Sequence, residues 1–486
     1  MDIIKKRNRL PAVSFFSTLL FCLYFLTVSH FDILPWFGTY NEKRILELLL
    51  LLVVASLFLC NSTSRENWLS CLGHLPSISK ILLLSIAALG IISSAGAAFP
   101  KFALLEVSLF TLLFAGSICV ASCYVQLGDL FGKMVAIALF LMGWFYLVGF
   151  FGYYLTVISG GLALSQPDIF GNFANIRFFN QFQSWTLSLM VIPLFFFPKR
   201  SLLITALFIV VASGWWLLLF TSNCRGTLVG CIISFPLTLL LFGKQAKQWF
   251  KWQVITIGGG LAAYLLFFVL IPKVMSVDVQ TIIDRDIMRD NPRIELWSAA
   301  GKMIQAQPLL GAGPMHFAAE GNFIATHPHN SLLQIAAEWG IPVALAVIAL
   351  FVWGIFAWSK AINSTPYSNE DKSLCAALLA SLLTAGVHSL FSGIIVMPLS
   401  QVMMVLVTGW MLGITSRRTV SAKNYSNGKH VILCLIFLVT SFGVIWPLFP
   451  ELLYLEKSQA DFLHSHPEVR VLNPRFWHQG HINEYF

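Results

Sequence analysis

The sequence predicts an all-α polytopic membrane protein of about 12–13 transmembrane helices with one long loop on the outer side. Three observations carry that expectation. Of 486 residues, 57% are hydrophobic and only 11% are charged. A soluble globular chain carries about 25% charged residues, so this one lacks the charge to cover a water-exposed surface. Apolar runs long enough for a bilayer recur along the chain, a span needing ~20 residues. The ~10-residue alternating segments of a membrane β-barrel are absent.

The first apolar run follows Lys5, Lys6, Arg7 and Arg9 and stays uncharged from about Leu10 to Phe31. A signal peptide has a shorter apolar region and a small-residue cleavage site; this run fits neither and reads as the first anchor. Further spans are expected at 45–60, 81–99, 102–124, 134–158, 182–197, 201–221, 226–242, 252–272, 341–358, 373–394, 397–415 and 430–449, the first being 11–30. The tenth has a second possible start within 331–340.

Orientation follows from Lys and Arg in short loops. With the N-terminus in the cytoplasm, alternate loops hold the N-terminal cluster, Arg65 and Lys80, Lys133, Lys199 and Arg200, Lys244, Lys247 and Lys251, Lys360 and Lys372, then Arg417, Arg418, Lys423 and Lys429. Together these are 18 of the 31 basic residues. The net charge of +9 therefore reads as topology determinants and not as a nucleic-acid surface. The chain divides into an N-terminal bundle, 1–272, of about nine spans, an outer loop, 273–329, a second set of spans, 330–449, and an outer tail, 450–486. The nine cysteines, Cys22, Cys60, Cys71, Cys119, Cys123, Cys224, Cys231, Cys375 and Cys434, lie almost entirely in or beside apolar runs. That spacing supports neither a disulfide framework nor a zinc site, and no cofactor is expected.

Two outer segments stand out. One, 159–181, contains "DIFGNFANIRFFNQFQSW" and supplies Arg177 as a candidate for substrate binding. The other, 273–329, is the only long loop, and loops beyond ~12–15 residues are usually functional or disordered. Within it, "RIELWSAAGKMI" sets Ile294, Trp297, Ala300 and Ile304 at helical spacing, the pattern of a helix lying on the membrane or capping the bundle. "PLLGAGPMHF" then breaks it.

Arg225, in "TSNCRGTLVG", stands where one span ends outside and the next begins. A helix N-terminus favours anions, and a guanidinium fork matches phosphate oxygens; the alternative is an arginine that snorkels to lipid headgroups. Arg285, Arg289 and Arg293 recur every four residues among Asp284, Asp286, Asp290 and Glu295, so surface ion pairs compete with anion binding for Arg285 and Arg289. Arg293 follows Pro292 and begins the amphipathic helix. In "HPHNSLLQIAAEWG", Asn330 suits an N-cap, and His329 is either a satisfied interfacial histidine or a general base. His327 and His329 lack a third residue at metal-ligand spacing. Glu338 reads as hydrogen-bonded within its helix or facing a cavity, and Glu106 has Lys101 as its nearest sequence partner.

This combination resembles the superfamily of O-antigen ligases, O-antigen polymerases and protein O-oligosaccharyltransferases. The match runs through Arg293, Trp297, Pro308, Gly311, Gly313, His329, Asn330, Leu333, Glu338 and Gly340, with Arg225 as the arginine at a span start. The resemblance implies a C-type glycosyltransferase-like fold in the bacterial inner (cytoplasmic) membrane, with its site facing the periplasm. It implies inverting, metal-independent transfer of a glycan from undecaprenyl diphosphate to an acceptor hydroxyl. Arg225 and Arg293 would bind the diphosphate and stabilise its departing charge, which makes Arg225 catalytic together with His329; Arg289, Arg177 and Asn330 would join in substrate binding, and His329 would orient or deprotonate the hydroxyl. Lipid A-core is the first-ranked acceptor, so the expected process is lipopolysaccharide biosynthesis. A protein hydroxyl ranks second and a growing glycan chain third. Membrane lipids are the remaining expected partners, and nucleic acid is not one. A lipid or polysaccharide transporter is the alternative of another class. It would need a charged path through the membrane, whereas here mid-span positions are nearly free of charge.

Overall fold

Most of the long apolar runs form helix, because a helix satisfies backbone polar groups in hydrocarbon within its own segment. The computed structural model describes residues 11–165, 167–280, 292–319, 324–417, 425–467, 469 and 472–482. Its first helices are α1 (Ala12–Val28), α2 (Gly38–Cys60), α3 (Ser62–His74), α4 (Ser77–Ala95), α5 (Pro100–Leu127) and α6 (Asp129–Ser159). After an outer segment come α7 (Ile176–Thr186), α8 (Pro193–Phe196), α9 (Leu202–Ser222), α10 (Arg225–Phe242) and α11 (Lys247–Tyr264). A wider, π-helical stretch, Leu265–Leu270, leads into α12 (Ile271–Met275). The second half contains α13 (Pro292–Ala306), α14 (Ser331–Trp339), α15 (Ile341–Asn363), α16 (Asn369–His388), α17 (Pro398–Ser416) and α18 (Asn427–Ser465).

The chain is an all-α polytopic membrane protein. Among the described residues, 8 helical stretches are long and apolar enough to cross a membrane, or 9 if the pair Pro35–Cys60 and Ser62–His74, bent by 108°, is one span. This is fewer than the sequence patterning suggests, for physical reasons. The expected span 182–197 is broken: α7 ends at Thr186, and the chain turns through 187–192 before Pro193 starts α8. The carbonyl of Ser188, outside any regular helix, accepts from Trp249 Nε1 at 3.1 Å and Gln253 Nε2 at 3.0 Å. α1 has 17 residues, and α16 begins with the polar run Asn369, Glu370, Asp371 and Lys372. The runs 226–242 and 252–272 belong to one stretch, Arg225–Met275, interrupted at Gly243 (φ 55°). α14 is separate from α15, because Gly340 at φ 89° breaks the helix between them.

The bundle's core runs along α5 and α17. Gly409 and Gly413 of α17 form the small-xxx-small pattern that lets membrane helices approach closely. A Cβ at Gly409 would collide with the Ser117 carbonyl, and one at Gly413 would stand 3.0 Å from the carbonyl of Ala121. The two outer segments meet in a short parallel pairing of Leu164–Ser165 with Val279–Gln280, extended by the Leu164 N–H to the Asp278 carbonyl at 2.8 Å.

Gly409→Leu should destabilise the bundle by about 1–3 kcal/mol, the usual effect of overpacking. Gly258→Leu is the control, since nothing lies within 4 Å of a Cβ there. Thermal unfolding in detergent should separate them, with equal melting of both variants contradicting the close α5–α17 approach.

Candidate active site

The arginine at the start of α10 is placed by the turn before it. Asn223 takes a left-handed conformation, φ 48°, which ends α9, and Cys224 is extended as the N-cap. Arg225 is exposed at the first helical position, beside backbone N–H groups that have no intrahelical acceptor. Its guanidinium makes no ion pair with any described carboxylate.

A buried polar seam on α7 holds this turn in place. Asn175 caps α7, its Oδ1 accepting from Arg177 N at 2.9 Å, and Arg177 is exposed on the first turn. Below it, Asn180 Nδ2 donates to Ser222 Oγ at 2.7 Å, and Thr227 Oγ1 donates to the Asn180 carbonyl at 3.2 Å. Ser184 Oγ lies 2.7 Å from His388 Nδ1, and Gln181 Nε2 donates to Ser392 Oγ at 2.5 Å. One short helix thereby braces the end of α9, the start of α10, and the end of α16 with the turn after it. Most buried polar groups in folded proteins are hydrogen-bonded in this way.

Arg293 opens α13, and one turn later Trp297 Nε1 donates to the Pro328 carbonyl at 3.0 Å. The Arg-to-Trp spacing therefore ties the arginine helix to the loop carrying His329. The buried face of α13 differs from the expected one. Leu296, Ala300 and Met303 pack with Phe317, Ala325 and Ala337, while Ile294 is 66% exposed. The helix caps the bundle through the 296/300/303 face, because its partner is the neighbouring α14.

The glycine motifs serve the same lock. The Ala312 N–H donates to the Ala337 carbonyl at 2.9 Å, Gly313 to Glu338 at 3.0 Å and Ile341 to Pro308 at 2.9 Å. Side chains at Gly311 (φ 69°) or Gly340 (φ 89°) would run into the opposing backbone. Asn330 caps α14 as expected, its Oδ1 accepting from Leu332 and Leu333 N–H at 3.1 Å each. That leaves its Nδ2 amide as the group able to meet a substrate.

His329 itself adopts φ 52°, a left-handed conformation uncommon outside glycine and asparagine. Its N–H donates to His327 Nδ1 at 3.3 Å, and the two rings meet edge to face at 4.3 Å. No third ligating side chain joins these histidines among the described residues. Burial, and then the positive charge of Arg293, hold His329 down to a pKa of about 4. Burial lowers Arg293 too, followed by repulsion from Arg177, with Cys224, the residue before Arg225, acting in the opposite sense.

Arg293 thus lies within electrostatic reach of Arg177, of Cys224 in the turn before Arg225, and of His329. Arg285 and Arg289 lie outside the described residues. One sequence expectation changes: Glu106 pairs with Arg475, at 2.7 Å, and not with Lys101, which instead meets Glu451 at 3.1 Å. Glu338 bonds within its helix, one of the two expected alternatives, accepting from Gln334 Nε2 at 3.2 Å, and it also binds Arg475 at 2.6 Å. Sequence inspection missed His388, a lone charge-capable residue in an apolar run, and Arg475, one of several charge-capable residues in the tail with no spacing that singles it out.

Residues 185–348 match the family model described as O-antigen ligase. The matched stretch contains Arg225, Arg293, Trp297, His329, Asn330 and Glu338, and it supports the O-antigen ligase-related superfamily. No curated protein matches the chain.

A charge beside an imidazole changes its proton affinity in a known sense: a cation disfavours imidazolium. Arg293→Gln should therefore raise the His329 pKa from about 4 toward the ordinary 6.5. Histidine titration by NMR reads this. An unchanged value in Arg293→Gln would separate Arg293 from His329.

Proposed function

We propose that this chain, whose central third matches the O-antigen ligase family, transfers a glycan from undecaprenyl diphosphate to an acceptor hydroxyl at the periplasmic face of the bacterial inner membrane. Lipid A-core is the first acceptor proposed. The observation that carries this reading is the meeting of Arg177 and Arg293, like charges beside the Arg225 turn, next to a neutral histidine. Like charges repel, so such a cluster is suited to a dense anion that is brought to it. A diphosphate is such an anion, and guanidinium forks fit its oxygens.

In this mechanism the acceptor oxygen attacks the anomeric carbon from the face opposite the diphosphate. The bond from that carbon to the phosphate oxygen breaks, and undecaprenyl diphosphate departs with the electron pair. Arg225, Arg293 and Arg177 stabilise the charge that grows on the leaving group. The hydroxyl proton passes to a ring nitrogen of His329. In the free protein a pKa of about 4 makes that imidazole a weak base. A bound diphosphate offsets the Arg293 charge and raises its proton affinity, so the base strengthens once the donor is in place.

The test is transfer by the purified chain from undecaprenyl-diphosphate glycan to lipid A-core, to a protein hydroxyl and to a glycan chain end in turn. Product on lipid A-core with release of undecaprenyl diphosphate is expected. Product on another acceptor alone moves the assignment to that acceptor, and a folded protein inactive with all of them overturns the proposal.

His329→Ala should lower turnover by about 10²–10⁴-fold, the usual loss of general-base catalysis. Arg225→Lys keeps the charge but loses the fork. Its cost is about 10–100-fold in kcat/KM, the equivalent of one charge-assisted hydrogen bond worth ~1.5–3 kcal/mol. A fully active Arg225→Lys would reduce Arg225 to a headgroup contact.

A further inference from the structure

After α18 ends at Ser465, the chain turns back, and residues 472–482 lie against the face of the bundle that carries His329. This segment is unusually polar for something so buried. Arg475 is 1% exposed, and its Nη2 reaches Glu106 at 2.7 Å and Glu338 at 2.6 Å. The Tyr40 hydroxyl donates to the Arg475 carbonyl at 2.9 Å, and Arg44 Nε donates to the Phe476 carbonyl at 3.2 Å. Trp477 Nε1 donates to Glu451 Oε2 at 2.8 Å, and the His478 N–H to Asn41 Oδ1 at 2.7 Å. The segment is thus fastened to α2, α5, α14 and α18 together.

Two of these fastenings bracket the histidine loop. On one side, Thr326 Oγ1 hydrogen-bonds to the Asn473 carbonyl at 2.9 Å and to the Pro474 carbonyl at 3.0 Å, three residues before His329. On the other, Glu338 closes the helix that Asn330 caps, and its Oε1 accepts from the Phe317 N–H at 3.0 Å. Between the brackets, His327 is held in the low-dielectric interior, and burial, then His329 and Arg475, keep it neutral. A neutral His327 can accept from the His329 N–H, which is what fixes the left-handed turn. Without Arg475, Glu106 and Glu338 would be two carboxylates buried close together, and each disfavours the other's charge.

We propose that Arg475 and the segment around it form a positioning device for His329, holding both ends of residues 326–338 so that the imidazole stays presented beside Arg293. The role rests on the catalytic use of His329 proposed above. Arg475 touches no substrate in it and acts through Thr326, His327 and Glu338. Loss of the anchor frees the turn, so the damage falls on turnover more than on donor binding, which the arginines on the other side supply.

The experiment uses the full chain in detergent or nanodiscs, with Arg475→Met and Thr326→Val as separate variants. Thr326→Val removes only the hydroxyl that meets the tail and decides the matter if Arg475→Met does not fold. Hydrogen exchange of peptides covering 324–333 should become at least about tenfold faster in the variant, by local opening, while peptides of α5 and α17 keep wild-type rates. Glycan transfer should show kcat lowered by about 10–100-fold, as for a misplaced catalytic group, with the donor KM little changed. Wild-type exchange at 324–333 in folded Thr326→Val and Arg475→Met overturns the proposal, as does a loss expressed only in donor KM. Faster exchange in the variants of a protein that transfers to no acceptor would instead keep the anchor and overturn the proposed function.

Discussion

The indole of Trp297, donating to the Pro328 carbonyl at 3.0 Å, is the contact on which the site's geometry turns. It joins the helix that begins with Arg293 to the loop that carries His329. Neither piece is positioned by the bundle alone. α13 rests on α14 through a small apolar cluster, and the loop holds His329 in a left-handed conformation, φ 52°, that calls for external support. The glycines of the return, Gly311, Gly313 and Gly340, then let the backbone of 308–313 lie directly on that of 337–341. A hydrogen bond between an indole and a carbonyl contributes only about 0.5–1.5 kcal/mol to stability. Its importance is geometric, because it sets which way two otherwise separate groups face.

The second principle is a separation of charge. Among the described residues, Arg177, Arg225 and Arg293 form no ion pair with a carboxylate, while Glu106 and Glu338 are satisfied by Arg475. Beneath the arginines the bundle offers neutral hydrogen-bonding groups, Asn180, Gln181, Ser184, Thr227 and His388, that brace the backbone without cancelling the positive field. A low-dielectric surrounding strengthens such a field. The same property explains why burial holds His329 neutral in the free protein.

Much of this was legible in the sequence, and the reasons are local. The spans follow from hydropathy, the Asn330 cap from residue type before an apolar helix, and the Arg293, Trp297 and glycine pattern from the family resemblance within one short stretch. The break at 187–192 was concealed by apolar composition, since hydropathy does not register an unwound turn whose carbonyl is satisfied by a distant tryptophan and glutamine. The buried face of α13 shifted because its partner is another short helix. The Glu106–Arg475 pair was hidden by a separation of 369 residues, and nothing in the composition of the tail signals that it folds back. Contacts between remote segments are the part of a fold that periodicity does not encode.

The central claim is that the Arg177, Arg225 and Arg293 cluster receives a diphosphate. A cryo-EM structure of the full chain with undecaprenyl diphosphate tests it most directly. The account predicts both phosphates among these three guanidiniums, at charge-assisted hydrogen-bond distances of about 2.7–2.9 Å, with the distal phosphate turned toward His329. Phosphates bound instead in the open cavity of ≈ 590 Å³ on the opposite face, lined by Lys133, Arg417 and Tyr124, would contradict it.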